Sequence, residues 1–132
     1  MMTARVAHPH FPPLVLVVED DDNIATALEF LVLREGYRHK RVASGAEALL
    51  CIKSLGPDLV LLDVMLPEVS GYEICRHIRS DPVLSDVKVL MMTARGSAIE
   101  HRKSEELGAN GFISKPFDLK DLRAEVRRLL TA

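Results

Sequence analysis

Leu59-Val60-Leu61-Leu62-Asp63-Val64-Met65-Leu66-Pro67 is the stretch that decides the fold. Its four opening apolar residues read as a short strand covered on both faces, the habit of parallel sheets. Asp63 then places a carboxylate at the end of that strand. Such a charge is costly unless a metal, hydrogen bonds or chemistry stabilises it. The run Leu14-Val15-Leu16-Val17-Val18 ends the same way, in Glu19-Asp20-Asp21-Asp22. Two buried strands that both stop at carboxylates imply one acidic pocket.

Working outward, short apolar runs alternate with amphipathic stretches, the pattern of a parallel α/β sheet. Strands are expected at Leu14–Val18, Arg38–Val42, Leu59–Leu62, Lys88–Met92 and Gly111–Ile113. The second is mixed in character and suits an edge. Ile24, Ala27, Leu28 and Leu31 recur at helical spacing, and Gly36 supplies a stop. Ser44 to Glu47, Ser70 to Glu73 and Ser97 to Glu100 each have the spacing of a capping box. Asp118 precedes the stripe Leu119, Leu122, Val126, Leu129 and Leu130. Gly56-Pro57 and Gly108 punctuate the second and fourth helices. The reading is five βα units in one domain, residues 14–132, behind a disordered or extended leader, residues 1–13.

Bulk properties narrow the classes. At 132 residues, 48% hydrophobic and 27% charged, the chain has the make-up of a soluble globular domain. A net charge of −2 predicts no general attraction to nucleic acid or to an anionic membrane. Cys51 and Cys75 form neither a CxxC pair nor a disulfide framework, which fits a reducing, cytoplasmic setting. No run approaches the length of a membrane span, and residues 1–13 lack the apolar core of a signal peptide.

In such sheets, chemistry collects at the carboxyl ends of the strands. Glu19 and Asp20 follow the first strand, Asp63 the third, Thr93 and Ala94 the fourth, and Lys115 and Pro116 the fifth. Three hard oxygen donors suit a divalent cation that keeps several waters, most naturally Mg²⁺. Without one, like charges raise at least one carboxyl pKa. A cation, a lysine and a hydroxyl around one carboxylate suit phosphoryl transfer, with the carboxylate as nucleophile.

Val17-Val18-Glu19-Asp20-Asp21, Leu62-Asp63-Val64-Met65-Leu66-Pro67, Met92-Thr93-Ala94 and Lys115-Pro116-Phe117 together resemble the receiver domain of bacterial two-component response regulators. The resemblance runs from about Leu14 to Leu130. It implies a flavodoxin-like (βα)5 fold with strand order 2-1-3-4-5 and helices on both faces. It implies that Asp63 accepts a phosphoryl group from a phosphohistidine on a sensor histidine kinase or phosphotransfer protein. Glu19, Asp20, Asp63 and the backbone carbonyl of Met65 would hold Mg²⁺ or Mn²⁺. Thr93 and Lys115 would bind the acyl phosphate, and Phe112 would turn inward as the hydroxyl moves. Pro116 would follow a cis peptide bond. The output surface would be the fourth helix, fifth strand and fifth helix, read by an effector that the sequence does not name. The chain would act on nothing but its own phosphorylation and dephosphorylation.

Three departures or details qualify that expectation. Asn110-Gly111 stands where receivers that dimerise through the fourth and fifth helices carry two acids, so a phosphorylation-dependent homodimer would need other contacts. Met65 and Arg95 flank the pocket at positions that tune attack by water. Their bulk predicts a phosphate lasting minutes or longer. His39, His77 and His101 are expected at the surface, outside the site.

The same residues bear on other functions. A metal-dependent phosphohydrolase passing through an aspartyl phosphate usually has an acid two residues after its nucleophile, where this chain has Met65. A flavodoxin-like cofactor binder needs a phosphate loop after the first strand, where four acids stand. A receiver-like protein-binding module that is never phosphorylated normally lacks one of the site residues, all of which are present.

Overall fold

The computed structural model describes residues 12–94 and 98–131. Among them, five strands form one parallel sheet in the order β2-β1-β3-β4-β5. These are β1 (Leu14–Val18), β2 (Arg38–Val42), β3 (Leu59–Asp63), β4 (Lys88–Thr93) and β5 (Gly111–Ser114). The helices are α1 (Asp22–Arg34), α2 (Gly45–Leu55), α3 (Gly71–Ser80), α4 (Ala98–Glu106) and α5 (Leu119–Thr131), with a 3-10 turn at Pro82–Leu84.

Alternation along each strand divides the core into two layers. Leu16, Val18, Val60, Leu62, Val89 and Met91 face α2 and α3, while Val15, Val17, Leu59, Leu61, Leu90 and Met92 face α1 and α5. Every one of these side chains is buried. Each contributes roughly 1.5–3 kcal/mol relative to exposure, so the centre of the sheet is its firmest part. The edge strand β2 alternates exposed and half-buried residues until Val42.

Capping follows the acids and serines. The Asp21 side chain accepts from the N–H groups of Asn23 and Ile24 and opens α1. Ser44 and Ser70 accept from Glu47 N and Glu73 N. Asp118 accepts from Lys120 N before α5. Gly56 closes α2 in the left-handed region, at φ 54°. The capping serine expected at Ser97 lies outside the described residues.

Three strands run one residue further than hydrophobicity alone suggests. The ladder continues to Asp63 opposite Met92 and to Thr93 opposite Ser114. Backbone pairing does not depend on side-chain polarity, so the sheet carries its polar residues to the edge of the pocket. Of the expected leader, residues 1–11 lie outside the described region. Pro12 and Pro13 lie against β2, where their carbonyls accept from Arg38 Nε (3.3 Å) and Arg38 N (2.9 Å).

Candidate functional site

The carboxyl ends of β1, β3, β4 and β5 bring Glu19, Asp63, Thr93 and Lys115 together. Glu19 is fully buried, Asp63 is 4% exposed and Thr93 2%. Asp20 is exposed. One carboxylate oxygen from each of Glu19, Asp20 and Asp63 lies within 4.8 Å of the others. Three acids so close, two of them out of water, are a donor set for a hard divalent cation.

Lys115 partly neutralises the pair. Its Nζ lies 2.8 Å from Glu19 Oε1 and 3.4 Å from Asp63 Oδ1. Asp63 Oδ1 also accepts from Met65 N at 3.2 Å, and Glu19 Oε2 from Asp21 N at 3.1 Å. These contacts do not offset the loss of water. Burial pushes the carboxyl pKa of both Glu19 and Asp63 above its ordinary value, against the pull of Lys115. For Lys115, burial lowers the pKa, but the hydrogen bond to Glu19 and the charges of Asp63 and Glu19 together raise it. The pocket thus sets the Lys115 ammonium against two carboxyls whose charged forms burial disfavours.

The backbone around this pocket is held tightly. Lys115 N donates to Thr93 O at 2.6 Å, and Val64 N to Met92 O at 2.9 Å. The Lys115–Pro116 peptide bond is cis. Met65 is 72% exposed at the rim, and Ala94 is also exposed. Arg95 lies outside the described residues. Next to Lys115, an apolar groove of about 620 Å³ runs between Ile24 and Ala27 of α1 and Pro116, Phe117 and Leu119.

Phe112 is half-buried against the core layer of α2 and α3. Met91 pairs with Phe112 and Thr93 with Ser114. Because side chains alternate, Phe112 and Thr93 therefore share one face of the sheet.

Several supporting residues escaped the sequence reading. Arg41, at the end of β2, donates to the backbone carbonyl of Glu19 from Nε (3.0 Å) and Nη2 (2.8 Å). Its Nη1 pairs with Asp22 at 2.9 Å. This fork fixes the acidic loop. Gly71 packs against the backbone of Asp63: a Cβ there would sit 2.3 Å from the carbonyl oxygen of Asp63. In the sequence Gly71 read only as the first residue after a helix cap. Among the histidines, His77 is exposed, and His39 is half-buried with its Nδ1 3.0 Å from Glu29 Oε2. His101 is 54% exposed, yet its ring stacks on Phe112.

Before β5, Asn110 Oδ1 accepts from Arg79 Nη2 (2.6 Å) and Val89 N (2.8 Å). Arg128 bonds within α5 to Glu125 and to the carbonyl of Asn110.

The response regulator receiver domain family matches residues 15–127. The sensory transduction protein RegX3 of Mycolicibacterium smegmatis is 40% identical over 116 residues, covering 88% of this chain and 50% of that protein. The DNA-binding response regulator MtrA of the same organism is 39% identical over 116 residues, with the same coverage. The chain spans about half the length of these curated relatives. Among solved structures, the receiver domain of a sensor histidine kinase from Pseudomonas aeruginosa superposes with a TM-score of 0.82 at 28% identity. That likeness covers 91% of this chain and 98% of that one, which has a magnesium ion coordinated in its active site cleft.

Proposed function

Because the chain belongs to the response regulator receiver domain family, a module of two-component signalling, we propose that Asp63 is its phosphoacceptor and that residues 14–132 act as the receiver. The observation that carries this reading is the contact set of Asp63: a buried carboxylate grouped with Glu19 and Asp20 and paired with Lys115.

An Asp63 carboxylate oxygen attacks the phosphorus of a phosphohistidine on a sensor kinase or phosphotransfer protein. The oxygen–phosphorus bond forms, the phosphorus–nitrogen bond breaks, and the leaving imidazole nitrogen takes up a proton. Lys115 remains charged throughout and pairs with the new phosphoryl oxygens, and the Thr93 hydroxyl donates to another. Glu19, Asp20, Asp63 and the Met65 carbonyl would hold Mg²⁺ or Mn²⁺, and two buried carboxylates close to the exposed one of Asp20 fit such an ion. When bound, the cation neutralises charge on the transferring group. The apolar groove beside Lys115 gives a donor helix a place to rest while its phosphohistidine reaches Asp63.

Phosphorylation draws Thr93 toward the pocket and frees space on the sheet face it shares with Phe112. Phe112 turns inward, and the α4–β5–α5 surface changes for a downstream effector. A homodimer formed on phosphorylation uses contacts other than acids before β5, since Asn110 is engaged by Arg79 and by Val89 N. Direct nucleic-acid contact is not assigned to this chain, whose net charge is −2. Among the described residues no helix is long and apolar enough to cross a membrane, and the reading places the chain in the cytoplasm with its donor. The chain catalyses only changes in its own phosphorylation. Met65 at the rim supports a long-lived phosphate.

The test is incubation with acetyl phosphate and Mg²⁺ followed by intact mass. One added phosphoryl group is expected, absent without the cation and absent in Asp63→Ala. An addition that survives Asp63→Ala overturns the reading.

A further inference from the structure

Helix α4 is held on both flanks by aromatic rings. On one side the Tyr72 hydroxyl of α3 donates to Glu100 Oε1 at 2.7 Å, and Lys103 Nζ lies 4.2 Å from the Tyr72 ring centroid. On the other, the His101 ring stacks on Phe112 with centroids 4.8 Å apart and an interplanar angle of 11°. The His101 Nε2 lies 3.8 Å from Glu105 Oε2, one helical turn on. The Tyr72 contacts fix α4 to α3, so His101 is presented to β5 from an anchored helix.

We infer that His101 is a positioning residue that keeps Phe112 beside α4 and so sets the resting balance of the switch. The inference rests on the reading of Asp63 as phosphoacceptor. A contact biases a two-state equilibrium only if one state has it and the other lacks it. The stack meets that condition, because a Phe112 ring turned inward under Thr93 leaves His101 behind. An offset ring pair shifts such an equilibrium by about two- to tenfold. By linkage, the same factor must appear in the affinity of Asp63 for a phosphoryl mimic, provided the inward conformer is the minor one at rest. The Glu105 carboxylate, at 3.8 Å, lies beyond hydrogen-bond reach of the imidazole. His101 therefore tunes the threshold of the switch without touching the reacting atoms.

The test uses the full chain, saturating Mg²⁺ and beryllium fluoride as the phosphoryl mimic, with binding followed by amide NMR. His101→Ala should bind the mimic about two- to tenfold more tightly than the wild type. His101→Phe, which keeps a ring over Phe112, should return to the wild-type affinity. In a Phe112→Ala background, His101→Ala should change nothing further. His101 is more than half exposed, so the amide spectrum of His101→Ala should remain that of the folded wild type. Wild-type affinity in His101→Ala, or a His101→Phe variant that behaves like His101→Ala, overturns the inference alone. A wild-type chain that binds no beryllium fluoride overturns the acceptor reading, and the inference with it.

Discussion

Replacing Lys115 with methionine isolates the electrostatic balance of the pocket. Methionine keeps much of the side-chain volume and removes the ammonium that lies 2.8 Å from Glu19 and 3.4 Å from Asp63. The lysine side chain is 16% exposed, and those of its partners 1% and 5%. Breaking a buried pair by removing one partner costs about 3–5 kcal/mol, because the remaining charge is left uncompensated. The two carboxyls can take up a proton instead, which places the expected loss near the lower end, about 3 kcal/mol. For a chain of this length that is a fall of about 10 °C in Tm. The sign with pH follows from the carboxyls. Burial holds both above their ordinary range, so the folded state binds more protons than the unfolded one there. Metal-free stability therefore falls as pH rises from below the ordinary carboxyl values through the raised ones. Lys115→Met raises those values further and should steepen the fall. Lysine's own contribution is constant at neutral pH, because its pKa is raised and its charge is lost only in strong alkali. Added Mg²⁺ should recover more stability in the variant than in the wild type, since the cation supplies the missing positive charge. Calorimetry between pH 4 and 8, with and without Mg²⁺, measures all of this. A Tm within 2 °C of wild type would refute the claim that Lys115 offsets two buried charges, and so would equal gains from Mg²⁺.

Other outcomes follow from the same contacts. Gly71→Ala places a methyl carbon 2.3 Å from the Asp63 carbonyl oxygen, so it should cost about 1–3 kcal/mol in urea unfolding and slow phosphorylation by acetyl phosphate. Arg41→Ala removes two charged hydrogen bonds from the Glu19 carbonyl and should cost about 1–2 kcal/mol while weakening Mg²⁺ binding. Arg41→Lys should not restore either, because lysine lacks the planar fork. Burial and then Glu100 push the Tyr72 phenol up to about 12, so ultraviolet titration should find a tyrosine ionising well above 10, and Glu100→Gln should lower it. Its proton is held more tightly in the folded state, so this group's contribution to stability declines as pH rises from 10 toward 12.

Most of the fold is legible because the central strands are apolar on both faces and because Gly36, Gly56 and Gly108 mark helix ends. The acidic pocket is legible for a related reason: a carboxylate at the end of an apolar strand stands out against its neighbours. What escaped notice is contact between residues far apart in the chain. Arg41 belongs to a mixed strand, where any polar residue suits an exposed edge. Nothing in its sequence surroundings aims its guanidinium at the carbonyl of Glu19. Gly71 matters through a close approach that only the packed α3 creates. His101 lies on a polar helix whose stripe predicts an exposed face, and it is exposed. The stack with Phe112 depends on where α4 lies over β5, which periodicity does not report. Thr93 and Ser114 extend their strands because the ladder continues past the last apolar residue.

The most direct test of the central claim is chemical location of the acyl phosphate. After phosphorylation with acetyl phosphate and Mg²⁺, borohydride reduces an aspartyl phosphate to homoserine, which peptide mass mapping can place. Homoserine is expected at position 63 and nowhere else, dependent on the cation. Reduction at Glu19, Asp20 or another acid, or none at all in a chain that has gained phosphoryl mass, would contradict it.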